Sequence, residues 1–127
     1  MQSVRNRIFP KVYEVDSFQK EFMSIIDEKF VWSPPFPRYQ RWLIGSLRIL
    51  ESLGKEAIKY KNFEQLDNTN PKLYSIRYPK SKLNPRVLFV YWEPDKIILL
   101  AAFKEKRKSD YARNIKLAKE RIKQLEV

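Results

Sequence analysis

The sequence predicts an α+β fold, an antiparallel three- to four-stranded sheet with two N-terminal helices and one C-terminal helix. Three observations carry this. Apolar residues recur at helical spacing between residues 17 and 53, alternating and continuous β-rich runs fill residues 73–103, and helical spacing returns after residue 109. The 127 residues fit one domain, and 43% hydrophobic residues suffice for a packed core. No internal repeat, low-complexity tract or second domain interrupts that plan.

Taken in order, Val12–Val15 after Pro10 reads as a short strand. Asp16 or Ser17 then caps a helix whose Phe18, Phe22, Ile25 and Ile26 share a face and which should end near Lys29. Ser33-Pro34-Pro35-Phe36-Pro37 cannot continue that helix and reads as a rigid connection. From Arg38 a second helix lines up Tyr39, Trp42, Leu43, Leu47, Leu50 and Leu53, with Gly54 suited to its stop. The two should pair antiparallel, with their stripes turned onto the sheet.

After Asn70-Pro71 the period changes. Tyr74, Ile76 and Tyr78 alternate with Ser75 and Arg77 in a strand. The loop from Pro79 to Pro85, the strand from Arg86 to Trp92, a tight turn at Glu93-Pro94-Asp95-Lys96 and the run Ile97–Phe103 complete an antiparallel meander. Ser109 or Asp110 caps a last helix that buries Tyr111, Ile115, Ala118, Ile122 and Leu125. Its Arg113, Lys116, Lys119 and Lys123 lie on other faces.

Composition narrows the function. The net charge is +11, and the excess leans towards the C-terminal half. Such a surface attracts polyanions, nucleic acid or an anionic membrane, although a lysine-rich solvated surface has the same composition. The chain has neither cysteine nor histidine. Disulfides, Cys/His zinc sites and histidine-based nucleophile systems are therefore excluded, and acid–base chemistry falls to Lys, Tyr, Asp, Glu or Arg. The acidic residues show no paired spacing that would suggest a metal site, so no cofactor is expected. Residues 1–10 lack the apolar run of a signal peptide, and the longest apolar run, Ile97–Phe103, is far too short to span a bilayer. A soluble, cytoplasmic protein without membrane partners is the expectation.

The candidate chemistry gathers at one sheet edge. Arg86 should stand across the hairpin from Arg77, with Lys80 and Lys82 in the loop between. An antiparallel last strand would bring Lys104, Lys106, Arg107 and Lys108 to the same edge. Arginine binds phosphate oxygens in pairs, and crowded cations lower one another's pKa, which makes one lysine a candidate base. Tyr111 offers a ring for stacking and a hydroxyl for orientation. Structural roles fit these residues too. Arg77 could pair with Glu93 or Asp95, Lys104–Lys108 could be a soluble connector, Tyr111 suits a core stripe, and Tyr91 and Trp92 suit sheet packing.

Leu73-Tyr74-Ser75-Ile76-Arg77, followed by Asn84-Pro85-Arg86-Val87-Leu88-Phe89-Val90-Tyr91, resembles the paired strands of the RelE/ParE toxin superfamily. Ile97 through Lys106 is similar to the segment that follows in its HigB-like, phage-derived branch. Ser109-Asp110-Tyr111 with Ile115 through Arg121 resembles the closing helix of that branch. The resemblance covers residues 66–125 and implies the toxin of a type II toxin–antitoxin system, a ribosome-dependent mRNA interferase that inhibits translation. It implies a metal-independent endoribonuclease in which a ribose 2′-hydroxyl attacks the adjacent phosphate. Arg77, Arg86, Lys104, Lys106 and Tyr111 match catalytic positions, and Lys80, Lys82, Arg107 and Lys108, by their charge beside these, are the candidates for RNA binding. The implied partners are a cognate antitoxin protein and mRNA on the ribosome. Glu105 departs from the adjacent basic pair of many members. A ParE-like DNA gyrase inhibitor and a non-catalytic RNA- or protein-binding relative are the alternatives.

Overall fold

The computed structural model describes residues 3–66, 68–92 and 95–125 of the chain. The elements run β1 (Ser3–Arg5), β2 (Val12–Val15), α1 (Phe18–Ile26), α2 (Arg38–Leu53), a 3-10 helix (Gly54–Lys59), β3 (Phe63–Gln65), β4 (Tyr74–Arg77), β5 (Pro85–Trp92), β6 (Lys96–Lys104) and α3 (Lys108–Leu125). The class is α+β with three α-helices. The sheet corrects the expectation of three to four antiparallel strands: it has six, in the order β1-β2-β6-β5-β4-β3, and β2 pairs parallel to β6.

The difference has a physical cause. β1 and β3 hold three residues each and lie at the two edges of the sheet, where one flank of the strand needs no apolar neighbour. Segments that short carry no readable period. The parallel pairing of β2 with β6 joins residues some 85 positions apart, Val12 with Ile97 and Glu14 with Leu99, and no local pattern encodes it. β5 and β6 are legible for the opposite reason. They are covered on both faces, so they read as continuous apolar runs, and every residue from Ile97 to Phe103 is buried.

Opposite faces of β4 meet different helices. On one side, Tyr78, the residue just after β4, stacks on Trp42 of α2 at 5.5 Å between centroids. Trp42 in turn lies 6.5 Å from Phe22 of α1, which ties the two helices together. On the other face, Ser75 meets Tyr111 of α3. α2 ends where Gly54, at φ +55°, takes a conformation that L side chains rarely adopt. α1 is shorter than expected, since Asp27 turns left-handed at φ 52° and closes it before Lys29. The turn expected at residues 93–96 falls partly on Glu93 and Pro94, which lie outside the described residues.

One irregularity holds α3 in place. Leu88 pairs with Ala101 and Phe89 with Leu99, so Leu100 is an extra residue in β6. The Leu100 carbonyl accepts a 2.7 Å hydrogen bond from Nη1 of the buried Arg121, whose guanidinium also grips the Glu21 carboxylate of α1. One side chain thereby links α3, α1 and the central strand.

Candidate nucleic-acid interface

The site begins with two like charges. Arg77 of β4 stands directly opposite Arg86 of β5, and Phe103 of β6 follows in the same row. Opposed cations on neighbouring strands repel. Two carboxylates offset that repulsion. Glu64 of β3 approaches Arg77 at 3.7 Å, and Glu105, just past β6, bonds Nε and Nη2 of Arg86 at 2.9 and 2.8 Å. The Arg86 side chain is only 7% exposed, whereas Arg77 and Glu64 are each 35% exposed. Of the two arginines, Arg77 is the one an external anion can reach.

Tyr111 joins these strands to the start of α3. Its ring packs edge-on against Phe103, 5.2 Å between centroids. Its hydroxyl donates to Glu64 Oε1 at 3.2 Å and lies 3.0 Å from Ser75 Oγ. A phenol has one proton, so donation to Glu64 leaves the serine hydroxyl as donor to the tyrosine oxygen. Burial, chiefly, pushes the Tyr111 hydroxyl up to about 12, with Glu64 and Glu105 adding to the rise and the Ser75 hydrogen bond and Arg86 opposing it. Tyr111 is therefore a neutral hydrogen-bond donor at physiological pH. It is both a packing residue and a site residue.

The basic residues after β6 are less ordered by contacts. Lys104 pairs in register with Pro85, beside Arg86, and is half-buried. Lys106, Arg107 and Lys108 are exposed. The backbone N–H groups of Lys106 and Arg107 donate to Asp110 Oδ2 at 2.8 and 2.9 Å, which holds the Asp110 carboxyl below its usual range. Among the described residues, none of these four cations forms an ion pair. Lys80 and Lys82 are exposed in the loop that leaves β4 beyond Arg77 and returns at β5. Ser81 Oγ, bonded to the Tyr78 carbonyl, and Tyr39, accepting from the Leu83 N–H, anchor that loop to its surroundings.

The structure thus brings Arg77, Arg86 and Tyr111 together. Lys104, between Phe103 and Glu105, alternates onto the opposite face of β6, which corrects its expected place in the cluster, and Lys80, Lys82, Lys106, Arg107 and Lys108 lie on exposed flanking segments. Sequence reasoning missed Glu64 and Ser75 as site residues, because β3 was not legible and Ser75 carries no signal of its own. It read Glu105 as a departure; here Glu105 is the counter-charge that lets Arg86 be buried. Arg77 pairs with Glu64 instead of Asp95, and Glu93 lies outside the described residues. Among the described residues, no group of three or more acidic side chains lies together to hold a metal ion, and no helix is long and apolar enough to cross a membrane.

A family model described as "Phage derived protein Gp49-like (DUF891)" matches residues 36–123, from the end of the proline-rich connection through most of α3. The match takes in α2, the whole meander and every residue of the site. No curated protein matches the chain.

Proposed function

We propose, since the chain belongs to the phage-derived Gp49-like family within the broad RelE-type toxin group, that it is the toxin of a toxin–antitoxin pair and cuts messenger RNA on the ribosome. It acts in the cytoplasm, and a cognate antitoxin protein silences it by covering the basic edge. The observation that carries this reading is the half-exposed Arg77–Glu64 pair, oriented by Tyr111 and bordered by the Lys104–Lys108 segment.

That arrangement suits phosphodiester cleavage without histidine. Glu64 takes the proton of a ribose 2′-hydroxyl, whose oxygen then attacks the adjacent phosphorus. Arg77, freed from Glu64 as the carboxylate gains its proton, binds two phosphate oxygens and stabilises the pentavalent state. Lys104 and Lys106 add positive charge. The departing 5′-oxygen takes a proton from a lysine ammonium of that segment, leaving a 2′,3′-cyclic phosphate. Tyr111 fixes the carboxylate through its hydroxyl, and Arg86 acts through Glu105 as a positioning residue. A carboxylate base replaces the lysine base expected from the sequence, because Glu64 stands next to the accessible arginine.

Induced expression in a bacterial host, with primer extension on abundant messages, tests the reading. Growth arrest with cuts inside translated codons is the expected result. Arrest with intact messages and damaged or unsegregated DNA would favour a gyrase inhibitor, and no arrest would leave a non-catalytic binding relative.

A further inference from the structure

Beyond Tyr111, α3 runs on to Leu125 with two unlike sides. Asp110, Asn114, Ala118, Arg121 and Ile122 are buried. The outer side carries Lys108, Lys116 and Lys123, all exposed, and Lys119, half-buried. At 3.6 residues per turn these four lysines fall within an arc of about 80°, and at 1.5 Å per residue they extend over about 22 Å. Arg113 flanks them, its side chain 70% exposed. Glu120 is the only exposed acidic residue in the described helix. Among the described residues no carboxylate lies within ion-pair distance of Lys108, Lys116 or Lys119.

The side chains between the lysines select the partner. Protein interfaces are anchored on aromatic or large aliphatic groups in their centre. The outer side of α3 offers only Ser109, Ala112 and Gln124 between its charges. A polynucleotide backbone needs no such anchor and is held by spaced cations alone. The stripe also starts at Lys108, where the basic segment bordering the site ends. We infer that the outer side of α3 is a track for the phosphates of an RNA strand, engaging nucleotides beyond the one that reacts. The inference rests on the RNA-directed reading of the site and extends it to the length of strand the protein holds.

The test is a salt titration of the full chain binding a single-stranded RNA whose riboses are 2′-O-methylated and hence uncleavable. Each phosphate contact contributes about 0.7 to the slope of log affinity against log salt for single strands. The triple variant Lys116→Gln/Lys119→Gln/Lys123→Gln should lower that slope by about 2, equally for RNAs of different sequence. A control, Arg41→Gln/Arg48→Gln/Lys61→Gln, removes the same charge from exposed positions elsewhere and should leave most of the slope intact. An unchanged slope in the α3 variant overturns the track and marks the stripe as protein-facing or merely solvated. Equal losses in both variants also overturn it, since the attraction would then be diffuse. Cleavage of messages by the unaltered protein is read separately. A stripe-dependent slope without cleavage would keep the track and remove the nuclease, and cleavage with an unchanged slope would do the reverse.

Discussion

Arg77 and Arg86 face each other across two strands, yet their surroundings separate their work. Arg86 is buried against Glu105, so Arg86→Ala leaves a carboxylate without its partner and should cost about 3 kcal/mol of stability, read by denaturant unfolding. Loss of toxicity in that variant would then report folding as much as chemistry. Arg77→Gln and Glu64→Gln are cleaner probes, because both side chains are part-exposed. Tyr111→Phe keeps the ring on Phe103 and removes only the hydroxyl. It leaves Ser75 Oγ without that partner, at a cost of about 1 kcal/mol, and should cut activity far more than stability. The tyrosine proton gives a further check. Its folded pKa lies above the unfolded value, so stability is full below about pH 10 and is lost as pH rises towards about 12. Tyr111 and Tyr91, the latter also raised by burial, should both ionise late in an alkaline absorbance titration.

At the scale of elements, what was legible followed burial. β5, β6 and α2 announce themselves because their apolar residues are dense and regular, and the Arg77–Arg86 and Pro85–Lys104 pairings follow from the hairpins that join them. Gly54 marked the end of α2 correctly. At φ +55° nothing crowds its missing side chain, so Gly54→Ala should cost more than about 1 kcal/mol through backbone strain alone, seen as a lowered Tm. β1 and β3 were not legible, being three-residue edges, and with β3 went Glu64. Arg121 was visible only as part of a resemblance. Its bond to the Leu100 carbonyl is made at a bulge that no sequence pattern reveals. Arg121→Met should loosen α3 from the sheet and raise amide exchange along that helix before the rest of the protein opens.

For the molecule as a whole, a charge of +11 on a domain of this size favours polyanions without choosing among them. The choice comes from where the charge lies. Arg77 and the Lys104–Lys108 segment lie at one end of the neighbouring strands β4, β5 and β6, and the lysines of α3 continue from it. The carboxylates follow the same logic at smaller scale, one making Arg86 burial tolerable and the other lying beside the accessible guanidinium. The measurement that tests the central claim most directly is message integrity in a purified translation system given the protein, Glu64→Gln, or Arg77→Gln. The account predicts cuts within codons of translated messages by the unaltered protein, dependence on ribosomes, and loss of at least about 100-fold in either variant. Intact messages with the unaltered protein, or undiminished cutting by a folded Glu64→Gln chain, would contradict it.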